Sequence, residues 1–399
     1  MATFAAGLTL PCGVTIKNRF LKSAMSEQFG DGKHDPLPGL VELYGTWAAG
    51  GAGLLVTGHV MVDRESLAEP RNVVLDEKSD LAAFERWAEA GSRNDTRIFM
   101  QLNHPGKQAL LSREPVAPSS VPLILRGGAK RAFSPPRALT EREIVALVAR
   151  FATTARLAKR AGFAGVQIHA AHGYLVSQFL SPHHNRREDA WGGTAERRRK
   201  FLLEVYAAMR AEVGPSYPLS IKLNCSDFQE GGLTEEESLT AAEALASAGI
   251  DLIEVSGGSY EAPAMMGARA SSGEPYFLEY TKKLRARVKV PLVVTGGFRS
   301  GPVMAAALDS GVTDMIGLAR PFVIYPDLPN RLLADPTTSI TLPHPSTHVR
   351  AIDRALMLDL TWYQAQLARM ARGEAPKETL SAWRAIALLL RRVAMPAST

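Results

Sequence analysis

The sequence predicts a single (β/α)8 barrel of the α/β class. Three observations carry that expectation: short aliphatic runs alternate with longer helix-period stretches, eight such runs can be counted, and glycines cluster after the last two of them. A length of 399 residues with 46% hydrophobic content could fill one large core or two ordinary domains, so the alternation decides and the length does not.

The eight strand candidates are Phe20 to Met25, Gly53 to Gly58, Ile98 to Leu102, Gly165 to His169, Leu219 to Leu223, Leu252 to Val255, Leu292 to Thr295 and Met315 to Leu318. Helical periodicity fills the intervals at Leu40 to Ala49, Asp80 to Ser92, Glu141 to Arg160, Ala195 to Val213, Glu235 to Ala248, Phe277 to Val288 and Val303 to Ser310. Thr140 and Thr234 read as N-caps, each with a glutamate three residues on, Glu143 and Glu237, as a capping box requires. No G-x-G-x-x-G follows any strand, which disfavours a Rossmann domain.

The third strand is followed by the longest interval without periodicity, His104 to Ala138, which holds Pro105, Pro115, Pro118, Pro122, Pro135 and Pro136. A loop of that length inserted at the strand ends is expected to cap the site there. After the eighth strand, Pro321 to Pro345 is proline-rich and Val349 to Arg372 reads as one helix. The barrel is therefore assigned to residues 1–340. Residues 341–399 form a C-terminal helical extension, packed on the barrel or on a partner subunit of a homo-oligomer. From Arg350 to Thr399 there are eight Lys or Arg against four Asp or Glu, and Leu380 to Val393 is amphipathic. Packing of that face is favoured over a membrane-surface helix.

Composition removes several function classes. The net charge of +6 comes from scattered residues, with no basic run interleaved with aromatics, so no nucleic-acid partner is expected. Cys12 and Cys225 are too few for a disulfide framework or an iron–sulfur cluster and suit a reducing cytoplasm. Met1 to Leu10 lacks a charged n-region and a cleavage site, and Ala385 to Leu390, closed by Arg391 and Arg392, is far short of the ~20 residues that span a bilayer. No export signal or integral membrane segment is expected.

Candidate functional residues gather at the C-terminal ends of the strands, where barrel chemistry resides. Thr295-Gly296-Gly297-Phe298 follows strand seven and Gly317-Leu318-Ala319-Arg320-Pro321 closes strand eight. Glycines there let backbone amides approach a phosphate, and Arg320 can pair with it. An ordinary tight turn explains a lone Gly-Gly equally well, and a phosphate site alone also suits an aldolase or isomerase.

Strand four runs into Ile168-His169-Ala170-Ala171-His172-Gly173-Tyr174. If the segment turns helically, His169 and His172 share a face. Two neutral imidazoles can bind one carbonyl oxygen while a phenol supplies a proton, the arrangement that hydride addition to an enone requires. A His-x-x-His metal site is the rival, without the adjacent glutamate of H-E-x-x-H, and a polar core cluster is the bland alternative. No metal is expected.

Gly162-Phe163-Ala164-Gly165-Val166-Gln167-Ile168-His169-Ala170-Ala171-His172-Gly173-Tyr174, then Gln178-Phe179-Leu180-Ser181-Pro182 and Asn185-Arg186-Arg187-Glu188-Asp189-Ala190-Trp191-Gly192-Gly193, resemble the Old Yellow Enzyme family. The likeness runs from Leu8 to about Leu328 in order and spacing. It implies FMN as cofactor and NADPH or NADH as co-substrate, acting on an activated small-molecule alkene: an α,β-unsaturated carbonyl or nitro compound.

By the same resemblance, Ser23, Ala24 and Met25 offer backbone contacts to the flavin, and Ser26 places its hydroxyl near O4 and N5. Gly58 and His59 touch the flavin from strand two, Gln101 reads its pyrimidine edge, and Lys222 stands beside N1 and O2. Gly296, Gly297, Gly317 and Arg320 take the phosphate. His169 and His172 hold the substrate oxygen, Tyr174 protonates the α-carbon, and Gln28 and Asn103 line the substrate space. The sequence departs from familiar members at Ser26 (often Thr or Cys), at Gln28 (a tyrosine in some bacterial relatives) and at Asn103 (a tryptophan in yeast-type relatives). A longer class of relatives appends an iron–sulfur and dinucleotide module, which this stretch of sequence and its two cysteines do not lead one to expect. A flavin-dependent NAD(P)H oxidase or quinone reductase, and a non-catalytic flavin-binding protein, remain as alternatives.

Overall fold

A computed structural model describes residues 4–125, 133–263 and 275–394. Residues 126–132 of the loop after the third strand and the tail beyond Ala394 lie outside that description, as do the side chains of Arg391 and Arg392.

Eight parallel strands close a barrel: β1 (Phe20–Lys22), β2 (Leu54–Val56), β3 (Arg97–Asn103), β4 (Gly165–Ala170), β5 (Leu219–Asn224), β6 (Leu252–Ser256), β7 (Leu292–Thr295) and β8 (Met315–Leu318). Closure is made by β8 against β1, with Ile316 opposite Phe20 and Leu318 opposite Lys22. The predicted strands are all present. The first two are shorter than expected, because the chain leaves the sheet after Lys22 and after Val56 to form the rim of the site.

The crossover helices are α1 (Pro38–Ala49), α2 (Leu81–Gly91), α3 (Glu141–Arg160), α4 (Ala195–Val213), α5 (Glu235–Ala248), α6 (Leu278–Arg285) and α7 (Gly301–Asp309). Both predicted capping boxes form, with Thr140 bonded to Glu143 and Thr234 to Glu237. Each satisfies two amides that the first helical turn would otherwise leave unpaired. Gly249 closes α5 at φ 94, a left-handed conformation that carries no steric cost for glycine.

An antiparallel hairpin of Leu8–Thr9 with Thr15–Ile16 packs Leu8, Leu10 and Ile16 on Leu21, Leu54, Phe99, Leu252, Val293 and Met315. This apolar layer plugs the barrel at the N-terminal ends of its strands and leaves the opposite end for polar groups. The strands themselves are buried throughout, apart from Arg97 and Thr295.

The capping interval after β3 is not structureless. It holds a 3-10 turn at Gly106–Gln108 and a short parallel pairing of Val116–Ala117 with Arg137–Ala138. The expected single helix from Val349 to Arg372 is two, Arg350–Ala355 and Leu358–Met370, because Met357 at φ 43 turns the chain left-handed between them. The second packs closely on α1: a Cβ on Gly39 would stand 3.0 Å from the Cβ of Ala371. Trp362 is buried and donates to the Leu380 carbonyl at 2.7 Å, fastening the last helix, Ala382–Ala394. No helix among the described residues is long and apolar enough to cross a membrane.

Candidate active site

Parallel register brings the predicted side chains to one end of the barrel. Lys222 lies opposite His169 on one side and Glu254 on the other, and Gln101 lies opposite Gln167. In β3 to β6 the polar residues fall on alternate positions (Gln101, Asn103; Gln167, His169; Lys222, Asn224; Glu254, Ser256), so they point inward together while Ile168, Leu223 and Val255 face the helices.

The floor is a continuous buried network centred on Glu254, which is fully buried. One of its oxygens accepts from Ser23 Oγ at 2.6 Å and Thr295 Oγ1 at 2.7 Å and pairs with Lys222 Nζ at 3.0 Å. The other accepts from Gln167 Nε2 at 2.9 Å, and Gln167 accepts from Gln101 Nε2 at 2.8 Å. Lys222 also donates to Ser23 Oγ at 2.7 Å. Burial alone would raise the Glu254 pKa, but the Lys222 charge and the hydroxyl donors hold it below the usual carboxylate range. Gln167, Glu254 and Thr295 were not singled out from sequence, although a glutamate inside Leu252-Ile253-Glu254-Val255 is a charge that a buried strand must pair.

The mouth is built by the turn after β4. It does not continue helically. His172 and Gly173 are left-handed at φ 62 and 75, and Tyr174 caps a short helix, Leu175–Leu180. The costly His172 conformation is fixed by Asn224 Oδ1, which accepts its amide at 3.1 Å, and by Gln108 Nε2, which donates to its carbonyl at 3.1 Å. The turn sets the His169 and His172 rings 5.1 Å apart, edge to face, with the Tyr174 ring 4.9 Å from His169.

Burial, followed by neighbouring charge that includes Lys222, holds both histidines well below their ordinary pKa, hence neutral. Burial likewise pushes the Tyr174 phenol far up, and the carboxylate of Glu69 adds to the effect. His172 Nε2 is engaged with Ser256 Oγ at 2.7 Å. Among the described residues, His169 Nδ1 and Asn103 Oδ1 are buried without a partner.

On the β1–β2 side, Ser26 Oγ bonds to Glu69, and the His59 ring contacts Asn72 and Asn103 at 3.3 Å and Glu69 at 3.6 Å. Glu69 also bonds Gln28, which is left-handed at φ 57. Gly58 is glycine for lack of room, since a Cβ would fall 1.9 Å from Glu27 Oε2, and its amide already donates to Tyr44 Oη at 3.0 Å. Ala24 and Met25 lie beside it on the rim, partly buried.

At the far end, Gly296 and Gly297 are left-handed at φ 98 and 87, and a Cβ on Gly296 would meet nothing within 4 Å. Gly317 differs, because a Cβ there would strike Thr295 Oγ1 at 1.9 Å. Arg320 lies 6.0 Å from the Tyr363 ring. Burial and then the Arg320 charge lower the pKa of Arg299, a residue not foreseen from sequence. Two guanidiniums close enough for their charges to interact, in the segments that follow β7 and β8 with the open backbone of Gly296, suit an anionic group. With the unpartnered His169 and Asn103 atoms, they make a set of donors and acceptors that fits FMN and a polar ligand above it.

Among the described residues, His183, His184 and Glu261 are the group whose ligand atoms lie within 4.8 Å of one another. Lys107 Nζ already stands 3.0 Å from His184 and 3.4 Å from Glu261, compensating that carboxylate and tying the loop after β3 to the loop after β6.

Residues 9–336 match the model of the NADH:flavin oxidoreductase / NADH oxidase family. The chain belongs to that family. The NADH-dependent flavin oxidoreductase iccE of Talaromyces variabilis is 38% identical over 358 residues, covering 83% of this chain and 86% of that protein. An NADH oxidase of Thermoanaerobacter brockii is 33% identical over 80% of this chain and 49% of its own length. Among solved structures, the old yellow enzyme homologue from Zymomonas mobilis superposes with a TM-score of 0.71 at 27% identity, covering 85% of this chain and 95% of that one. Morphinone reductase gives 0.70 at 25% identity over 87% and 92%. The protein is thus an FMN-dependent oxidoreductase of the Old Yellow Enzyme type, and the family carries with it the use of NAD(P)H.

Proposed function

We propose that the protein reduces carbon–carbon double bonds conjugated to a carbonyl or nitro group, using FMN with NADPH or NADH. The observation that carries this reading is the mouth of the site: two neutral imidazoles and a protonated phenol meet beside buried nitrogen and oxygen atoms that lack partners. When bound, FMN takes hydride from the nicotinamide and passes it to the β-carbon of the alkene.

The chain's own residues do the rest. His169 and His172 donate hydrogen bonds to the activating oxygen; with His172 Nε2 held by Ser256, its Nδ1 is the nitrogen left for substrate. Charge growing on that oxygen meets preorganised donors in a largely buried site, where they count for more than in bulk. Tyr174 stays protonated because its pKa is pushed far up, and it gives its proton to the α-carbon. Gln101 and Lys222 face the pyrimidine edge, Ser23, Ala24, Met25, Ser26, Gly58 and His59 line the flavin rim, and Gly296, Gly297, Gly317 and Arg320, with Arg299, hold the phosphate. Gln28 and Asn103 border the substrate. A cytoplasmic setting suits the two free thiols, Cys12 and Cys225.

Replacing Tyr174 by Phe should lower the rate of alkene reduction by on the order of 10²–10⁴, the usual worth of a positioned acid. A Phe variant with the full rate on cyclohexenone overturns the assignment. A relative named as an NADH oxidase favours a second reading, oxidation of NAD(P)H by oxygen or a quinone on the same barrel. Turnover with air that exceeds turnover with any enone would select it.

A further inference from the structure

We propose that Tyr260 is the positioning residue that steadies Tyr174 and returns its proton after each turnover. The inference rests on the reading of Tyr174 as the acid. Once Tyr174 has given up its proton, its oxygen is an anion on a residue only 4% exposed, clustered with Met61, Leu67, Ala68 and Val74. A buried phenolate without a donor is costly, and a catalyst must also recover the proton from water. Among the described residues, Tyr174 Oη has one hydrogen-bond partner, Tyr260 Oη at 2.9 Å. Tyr260 is the more exposed of the two, partly buried on the rim of the same apolar cluster, and burial pushes its own phenol up, so it too stays protonated and able to donate.

The loop that carries Tyr260 is locked to the catalytic turn and does not merely drape over it. Ser259 pairs with His172 as an isolated parallel bridge, the Gly258 amide donates to the Ser226 carbonyl at 3.0 Å, and Asn224 Nδ2 donates to the Gly258 carbonyl at 2.9 Å. Asn224 is also the residue that accepts the His172 amide. One side chain therefore registers the histidine turn and the Tyr260 loop against each other, and the two phenols keep their distance.

The proton balance closes without a further reactant. The electron pair left on the substrate after hydride addition takes the Tyr174 proton, forming the α-carbon–hydrogen bond and leaving Tyr174 as phenolate. The Tyr260 O–H bond then breaks in favour of the Tyr174 oxygen, and Tyr260 takes a proton from water. The net proton comes from solvent, as reduction of an alkene by a hydride donor requires.

The test compares two acceptors on the FMN-loaded enzyme: cyclohexenone, which needs a proton delivered to carbon, and a quinone, which does not. Replacing Tyr260 by Phe should lower the ratio of enone to quinone turnover on the order of tenfold, the loss expected when one hydrogen bond to a developing anion is removed. The fall should lie in kcat and not in KM, and the solvent deuterium isotope effect on enone turnover should rise. An unchanged ratio and isotope effect in Tyr260→Phe, with Tyr174→Phe slow, overturn the role of Tyr260 and leave the Tyr174 assignment standing. A fully active Tyr174→Phe instead overturns the reading beneath it. Should Tyr260→Phe lose quinone turnover as well, Tyr260→His decides: a restored ratio supports the relay, and a ratio as low as that of Phe contradicts it.

Discussion

The floor and the mouth of this barrel are both polar and both buried, yet they are built on opposite terms. On the floor every named group is satisfied from within: Glu254 alone meets Ser23, Thr295, Lys222 and Gln167. At the mouth, His169 Nδ1, on a residue in register with Lys222, and Asn103 Oδ1 have no partner among the described residues. A saturated layer is a scaffold that stands without ligand. An unsatisfied one leaves its donors and acceptors available to what binds.

Breaking the floor should therefore cost stability first, and FMN binding through Ser23, Gln101 and Lys222 with it, while breaking the mouth should cost activity. Glu254→Ala strands the Lys222 ammonium in a site where its side chain is 3% exposed, and should cost about 3–5 kcal/mol in denaturant unfolding. If the loss is under 1 kcal/mol, the floor is not the scaffold described. Of the two glycines at the phosphate end, Gly317→Ala drives a Cβ into Thr295 and should cost about 1–3 kcal/mol by overpacking. Gly296→Ala meets no atom and should cost roughly 1–2 kcal/mol through its left-handed backbone alone, while weakening FMN retention.

The pH response sharpens the same contrast. His169, His172 and His184 are held neutral, by burial first and by nearby charge second, so the unfolded chain binds more protons than the folded one once the pH falls below the ordinary histidine value. Stability should decline from about pH 6.5 downward, by up to about 1.4 kcal/mol per pH unit for each such histidine. Melting temperatures between pH 7 and 5 check this, and a flat profile contradicts it. The smallest effect is expected at the mouth itself. Asn103→Leu removes an unpartnered oxygen together with the 3.3 Å contact of its Nδ2 with His59, and should shift stability by no more than about 1 kcal/mol, while turnover with a bulky enone changes.

Much of this was legible in the sequence for a physical reason. Strands β7 and β8 and helices α3, α4 and α5 have the bounds that periodicity and caps assign, because a buried strand or an amphipathic helix signs its own ends. The features that escaped are those that depend on long-range register. Glu254 is one letter in an apolar run until β5 sets Lys222 beside it. Tyr260 and Arg299 are loop residues whose partners lie 86 and about 20 positions away, and no local pattern announces such a meeting. The left-handed His172 and Met357 interrupt helices that periodicity alone would continue; at His172, a backbone amide held by Asn224 overrides the local preference.

The central claim is that a flavin above the Glu254 floor presents hydride to an alkene whose oxygen sits between His169 and His172. Its most direct test is to reduce the yellow FMN-loaded protein with NADPH or NADH in the absence of oxygen and then add cyclohexenone. The account predicts that the colour bleaches and then returns as one equivalent of saturated ketone forms, and that the return is slowed in His169→Ala and His172→Ala. A reduced protein that regains its colour with air or quinone yet stays bleached with every enone would contradict it.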